Sequence, residues 1–372
     1  MKLTIERGAL LRSLAHVQSV VERRNTIPIL SNVLLEAAEG RLSLTATDMD
    51  LTIVEEVEAN VGSGGATTAP AHTLYDIVRK LPDGAEVEVT TSSDGGQMTL
   101  KSGRSNFTLS TLPKEDFPAA GASDLPQSFE LQAGEAKNLI DRTRFAISTE
   151  ETRYYLNGIY VHAAKSESVA VLRAVATDGH RLARFEMTLP SGAEEIPGVI
   201  VPRKTVNELR KLIDESDAPI EVSLSETKVR FAFGDTVLTS KLIDGTFPDY
   251  ERVIPSGNDK VMEVDCKSFA QAVDRVSTIS SEKSRAVKMS VANGTVTLSA
   301  TSPENGSAEE DLAISYDGPE LEIGFNSRYL LDIAQQIEGE GAQFAMSDAA
   351  SPTIVRDVAD ASALYVLMPM RV

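Results

Sequence analysis

Residues with a capacity for acid–base or nucleophilic chemistry are few in this chain, and they are widely spaced. The four histidines, His16, His72, His162 and His180, include no two at a metal-ligand spacing, and the single cysteine, Cys266, adds no partner to them. No metal site is expected. The phosphate-cradling pattern G-x-x-x-x-G-K-[ST] does not occur, nor do G-x-G-x-x-G and G-x-S-x-G, so no nucleotide or other cofactor and no serine nucleophile is expected. The one close acid–base pair is Asp178 and His180, in ATDGHRLA (residues 176–183). These two could exchange a proton with a substrate, but no nucleophile accompanies them. An Asp-Gly step between alternating stretches is instead the signal of a tight turn, with Gly179 left-handed and His180 packed or hydrogen-bonded locally. The chain is therefore expected to have no catalytic residue, and to bind rather than to catalyse.

A turn of this kind has to be held by flanking strands, and the surrounding elements recur. The chain repeats itself with a period of about 125 to 130 residues, longer than a solenoid repeat and closer to domain triplication. LTIERGALLRSLAHVQSVV (3–21), FELQAGEAKNLIDRTRFAI (129–147) and MEVDCKSFAQAVDRVSTI (262–279) each read as a short alternating strand followed by an amphipathic helix. In the first, Leu10, Leu11, Leu14, Val17 and Val21 fall on one helical face. Strand patterns follow, with Thr47, Thr177 and Thr301 at matching positions. A second helix then starts near Pro70, Pro202 and Asn326, and further alternating strands close each unit. Each unit is thus two copies of a strand-helix-strands motif, an α+β fold class of three similar domains over residues 1–122, 128–254 and 260–372. The predicted linkers are residues 116–127, with Pro118, Gly121 and Pro126, and 253–260, with Pro255 and Gly257.

Composition agrees with several cores: the chain has 372 residues, 42% of them hydrophobic. Cys266 has no intramolecular disulfide partner, the beginning lacks a signal-peptide pattern, and no run approaches the roughly 18 apolar residues of a membrane helix. A cytoplasmic protein without a membrane partner is expected. The formal net charge of −19 argues at first against nucleic acid. Its distribution argues the other way. The six helical segments (residues 7–24, 72–82, 134–146, 202–213, 267–278 and 326–338) together carry +8, which leaves −27 on everything else. Helices gathered on one side of their sheets would present a basic face on an acidic body.

Longer motifs carry a specific resemblance. NTIPILSNVLL (25–35), SGRSNFTLSTLPKEDFP (102–118), RYYLNGIY (153–160), ATDGHRLA, VIVPRK (199–204), TSKLIDGTFPDY (239–250), EIGFNSRYLLD (322–332) and YVLMPMRV (365–372) resemble the bacterial sliding clamp family, the beta subunit of the DNA polymerase III holoenzyme, over nearly the whole chain. The resemblance implies a non-enzymatic processivity factor. It would be a head-to-tail homodimer whose six domains close a ring around duplex DNA, with helices lining the hole and sheets outside. Topological enclosure removes the need for tight phosphate binding, and a diffuse positive lining lets the ring slide without sequence specificity.

Particular residues follow from the resemblance. DNA contact is assigned to Arg24 and to Arg153, Tyr154 and Tyr155, with Arg203 and Lys204 beside a helix start. Glu150 and Glu151 precede Arg153 where a DNA-touching loop would prefer basic groups. The dimer interface would pair edge strands, placing Phe107 and Leu109 against Ile279, and Arg104 against Glu304, Glu309 and Glu310. Thr278 and Asn106 stand where relatives carry an apolar and a basic residue. A peptide-binding cleft would be built from Leu156, Thr177, Gly179, His180, Arg181, Leu182, Pro248, Val253, Asn326, Tyr329, Val366, Met368, Pro369, Met370 and Arg371. Its Leu, Val and Met side chains suit an adaptable pocket, with His180, Arg181, Asn326 and Arg371 at the rim. The implied partners there are short peptide motifs of the polymerase III catalytic subunit, the clamp loader, other polymerases and repair proteins. A hydrolase using Asp178 and His180, and an acidic scaffold that never encloses DNA, are the competing classes.

Overall fold

The computed structural model describes residues 1–118, 121, 124–281 and 285–371. The expected end of the first repeat at residue 122 and the last residue, 372, lie outside these. Helices α1 (Arg7–Val20), α2 (Ala71–Val78), α3 (Ala133–Asp141), α4 (Arg203–Ile213), α5 (Cys266–Ser277) and α6 (Ser327–Ala334) alternate with antiparallel strands in the predicted order. Three of the helices begin where the sequence supplies an acceptor for an orphan amide. Glu6 takes the Ala9 N–H at 2.8 Å, Asp265 the Ser268 N–H at 2.8 Å and Asn326 the Arg328 N–H at 3.0 Å.

Two compact units form: residues 1–136, 190–196 and 204–242 in the first, and 137–189, 197–203 and 243 onward in the second. Each contains an eight-stranded sheet made by joining two four-stranded halves. In the first unit the half Gln127–Leu131, Ile220–Leu224, Lys228–Phe233, Thr236–Lys241 meets the half Leu51–Glu58, Arg41–Thr47, Asn32–Ala38, Gly65–Pro70. In the second, the half Lys260–Asp265, Gly341–Met346, Thr353–Asp357, Ala363–Leu367 meets Arg181–Thr188, Val169–Thr177, Gly158–Ser166, Val199–Pro202. The central repeat is divided between the units because each of its halves completes a sheet begun by a different repeat. The first unit also holds Asn60–Ser63, Lys2–Glu6, Glu86–Thr91, Gln97–Ser102 and Ser105–Ser110 as a five-stranded sheet. The second holds Gly306–Ala313, Thr295–Ser302, Ala286–Ala292 and Leu321–Asn326 as a four-stranded one.

Helix α1 departs from the expected stripe. Leu10, Leu14, Val17 and Val21 are buried as predicted, but Leu11 is only partly covered, and Ser13 and His16 are buried instead. The cause is a polar bridge that periodicity does not reveal. His16 Nδ1 lies 2.8 Å from Glu55 Oε1, and its Nε2 lies 3.0 Å from Glu215 Oε2. An ionised carboxylate only accepts hydrogen bonds, so a protonated ring, donating from both nitrogens, is the form that satisfies both partners. Burial works against that charge, but the hydrogen bonds and negative charge of Glu55 and then Glu215 outweigh it and hold the His16 pKa above its ordinary value. The Thr236 hydroxyl, donating to Glu55 Oε2 at 2.9 Å, ties the same carboxylate to the neighbouring strand.

The sign of the linkage is fixed by the raised pKa. The stabilisation from His16 is complete below about pH 6.5, the value for an unfolded histidine, and is lost as pH rises through the higher folded value. His16→Ala should cost about 3 kcal/mol at pH 6 by leaving Glu55 buried without its cation. Urea denaturation from pH 6 to 9 should show the difference between the parent chain and the variant shrinking as pH rises; a constant difference would contradict the bridge.

Candidate functional site

The turn before the strand Arg181–Thr188 is closed by four hydrogen bonds between side chain and backbone. Thr177 Oγ1 donates to the Arg181 carbonyl oxygen at 2.7 Å and accepts the Gly179 N–H at 3.1 Å. Asp178 Oδ1 accepts from His180 N–H at 2.9 Å and from Arg181 N–H at 3.0 Å. Gly179 has φ +88°, and a Cβ there would lie 2.4 Å from Arg153 Nη1. Glycine suits this left-handed position and leaves room for the Arg153 guanidinium above it. The expected turn is therefore present. Asp178 is spent on it, and the exposed His180 has no acid–base role with it.

This turn delivers Leu182 opposite Val366 on the adjoining strand. Leu156, Leu182 and Val366 join Val175, Phe247, Ile354 and Leu364 in one apolar cluster. They form a buried floor. The accessible apolar groups beside them in sequence are Pro248, Val253 at 52% exposure and Met368 at 41%. Beyond Leu367 the chain is strung between two backbones: Met368 N–H donates to the His180 carbonyl oxygen at 2.9 Å, and Met370 N–H to that of Gly324 at 2.7 Å. Pro369 lies between these bonds, half-buried, and Arg371 beyond them is exposed. The Asn326 side chain caps α6 through its amide oxygen.

Arg181 does not occupy the rim. Its side chain is buried, with Nε 3.1 Å from Asp178 Oδ2, Nη1 2.5 Å from Asp332 Oδ2 and Nη2 2.6 Å from the Phe145 carbonyl oxygen. Its guanidinium also lies 4.2 Å from the centre of the Tyr329 ring. Each of the three guanidinium nitrogens is thus already engaged within the protein. Residues absent from the sequence-based set support the stretch that carries Pro248 and Val253. Tyr250 Oη lies 2.9 Å from His162 Nε2 and accepts from Arg173 Nη1 at 2.9 Å, while Arg173 also reaches Glu251 at 2.6 Å. Together they anchor the turn Tyr250–Val253. Burial, reinforced by the nearby Arg173 charge, holds His162 below its ordinary pKa and keeps it a neutral acceptor for the Tyr250 hydroxyl. The aromatic FPDY stretch is the only sequence signal for this support.

Of the candidate DNA contacts, Arg24 and Arg203 are exposed and, among the described residues, make no ion pair. Lys204 is held by Asp48 at 2.5 Å and Glu22 at 3.4 Å. Arg153 pairs with Glu150 at 2.7 Å and lies over Gly179, so it is placed with the turn of the cleft. Tyr154 is 54% exposed, whereas Tyr155 packs against the apolar cluster. The helices proper are shorter than the segments read from sequence. Within their observed bounds they carry +4, and the other +4 falls in the flanking residues, chiefly Arg23, Arg24, Arg79, Lys80, Arg142 and Arg144. Cations just past a helix C-terminus are favoured by the macrodipole.

The candidate interface residues lie at two sheet edges. Ser105–Ser110 pairs only with Gln97–Ser102, and Gly306–Ala313 only with Thr295–Ser302. Phe107 and Leu109 stand opposite buried Leu100 and Met98 but are themselves only half-covered. Arg104, Glu304 and Glu309 are exposed, and Ile279 is half-buried just beyond α5. Glu310 already receives Arg275 at 2.5 Å.

Family models for the DNA polymerase III beta subunit match the chain three times: the N-terminal domain at residues 1–121, the central domain at 130–249 and the C-terminal domain at 251–371. The beta sliding clamp of Caulobacter vibrioides is 56% identical over the full length of both chains, and that of Escherichia coli 42%. Among solved structures, a Bartonella birtlesii sliding clamp bound to griselimycin is 53% identical with a TM-score of 0.97 over all of both chains. A Caulobacter crescentus clamp, described with polyethylene glycol at a putative beta-motif tethering region, is 56% identical with a TM-score of 0.98, covering all of this chain and 99% of that one.

Arg181→Lys retains the charge but cannot satisfy three separated acceptors in fixed geometry. It should lower stability in urea by about 2 kcal/mol, and Arg181→Ala by about 3 kcal/mol, since both Asp178 and Asp332 lose their cation. Stability of Arg181→Ala equal to that of the parent would show that Arg181 does not hold this wall.

Proposed function

The chain belongs to the DNA polymerase III beta subunit family, the bacterial sliding clamps, which are non-enzymatic processivity factors, and we propose that it acts in the cytoplasm as a head-to-tail homodimeric ring around duplex DNA. The observation that carries the ring is the correspondence of sheet halves. Strand Thr236–Lys241 meets Leu51–Glu58, and Ala363–Leu367 meets Arg181–Thr188, each joining the last strand after one repeat's second helix to the third strand after another repeat's first helix. By the same order, Ser105–Ser110 has Gly306–Ala313 as its counterpart, and both are unpaired edges. Three repeats, read as domains 1–122, 128–254 and 260–372, make two such junctions within one chain. The third junction needs a second copy, and two heterologous contacts close the circle. Phe107 and Leu109 would be covered there by Ile279, and Arg104 would face Glu304 and Glu309.

Within the ring, the cations of the helices and their trailing turns supply the diffuse positive lining. Arg24 and Arg203 are the readiest phosphate contacts, with Tyr154 beside them in the assignment; Arg153 and Lys204 are weaker because each is already paired. The apolar floor at Leu156, Leu182 and Val366, with Val253, Met368, Met370 and Arg371 around it, is read as the cleft that tethers polymerase, loader and repair proteins through short peptide motifs. The polyethylene glycol bound at such a tethering region in the Caulobacter crescentus clamp supports this reading by likeness.

Loaded on a nicked circular plasmid, the protein should remain through gel filtration and be released when the circle is linearised. Phe107→Asp should sediment as a monomer and be retained on neither, because a buried carboxylate in the edge contact is unpaired. Equal retention of the parent protein on circles and linear DNA would overturn enclosure.

A further inference from the structure

The turn that frames the cleft occurs a second time. At residues 47–51, Thr47 Oγ1 donates to the Leu51 carbonyl oxygen at 3.0 Å and accepts the Met49 N–H at 3.1 Å. Asp48 Oδ1 accepts from the N–H groups of Asp50 at 2.9 Å and Leu51 at 2.7 Å. These are the four bonds of the 177–181 turn in the same order. Met49 holds φ +80° where Gly179 holds φ +88°. A side-chain-bearing residue is costly in that region, yet Met49 is 51% exposed, so burial does not repay the strain. The strands correspond as well, Thr52 standing opposite Thr239 as Leu182 stands opposite Val366.

Over this junction lies an open groove of about 460 Å³ whose lining includes Thr52, Val54, Val237 and Thr239. Met49 and Leu125 add apolar surface to it. Three cations, Lys228, Arg230 and Lys241, line the groove against one carboxylate, Asp50, in a chain whose net charge is −19. Lys241 pairs with Asp50 at 2.9 Å and Arg230 with Glu221 at 3.6 Å, at exposed positions where such pairs are weak and exchangeable. Leu51 and Ile53 are buried and Glu55 bonds His16 of α1, so the alternating residues Thr52 and Val54 face away from that helix. The groove is therefore on the face opposite the one assigned to duplex DNA.

We propose that this groove is a second docking site, for an extended acidic peptide segment with a small apolar anchor. It borrows from the first cleft only the kind of ligand. Charge complementarity selects the acidic segment, and threonines in place of Leu182 and Val366 make a more polar floor that suits a small valine anchor rather than a leucine or aromatic one.

The test uses the full-length dimer labelled with ¹³C at methionine methyls and titrated with an acetylated (Asp-Asp-Val) trimer peptide. The Met49 methyl should shift saturably while those of Met368 and Met370 stay in place. Arg230→Glu combined with Lys241→Glu should weaken the response about tenfold or more by reversing two complementary charges. Thr239→Trp, which fills the groove without altering charge, should abolish it. No Met49 shift at millimolar peptide, or an undiminished shift in both variants, overturns the proposal. Movement of Met368 and Met370 alone also overturns it, and would show the peptide using the first cleft, so failure here stays separate from failure of the cleft or of the ring. Competition for the Met49 shift by a short duplex would assign this face to nucleic acid and overturn it equally.

Discussion

A β-sheet half with an open edge exposes a row of unpaired N–H and C=O groups, and the organisation of this protein follows from how those edges are satisfied. Two junctions solve the problem within the chain. At each, the backbone ladder is continuous, and the side chains flanking it are among the most deeply buried in the molecule, Ile53 and Leu238 at one, Leu182 and Leu367 at the other. The same solution fixes where turns can sit. A strand that must present one face to helices and the other outward needs a turn of defined geometry before it, and the Thr-Asp-x-x turn supplies this through hydrogen bonds that do not depend on the residue at its tip.

Polar groups buried beside the junctions set register where apolar packing alone would tolerate slippage. Glu55 joins His16 on α1 to Thr236 on the adjoining strand. Arg181 joins its own turn to α6 through Asp332. A buried ion pair contributes little net stability compared with well-packed hydrocarbon, but leaving one member unpaired is costly, so such pairs penalise a misplaced strand more than they reward a correct one. In the proposed ring that property has a particular use, because any shift in register would misdirect the edges proposed to meet a second copy.

Much of this is legible in the sequence. The three repeats, the order of helices and strands, the turn at Gly179 and the starts of α2, α4 and α6 all come from hydrophobic period and turn chemistry, which are local. What is not legible is decided by side chains distant in sequence. His16 reads as an isolated histidine, since Glu55 and Glu215 lie 39 and 199 residues away. Arg181 is expected at a rim, but Asp332, 151 residues on, draws it inward. Thr301 aligns with Thr47 and Thr177 in sequence; it lies inside the strand Thr295–Ser302 and makes no equivalent turn, because Ser302 and Pro303 replace the Asp-x step. The helical charge counts over segments that extend past the helix ends, where half of it resides.

Threefold repetition separates what backbone geometry requires from what a particular surface does. Turns 47–51 and 177–181 share their hydrogen bonds, so the backbone requirement is met twice by the same two residue types, threonine and aspartate. The residues free to vary have diverged: Met49 against Gly179, Asp50 against His180, and Thr52 against Leu182. Arg153 lies close over Gly179, its Nη1 2.4 Å from where a Cβ would stand. Because the turn's hydrogen bonds leave its tip free to vary, a side chain stands there in one copy and none in the other, giving a different surface over the same ladder. Junctions fixed by backbone pairing can therefore carry unlike binding surfaces without any change to the closure on which enclosure of DNA would depend.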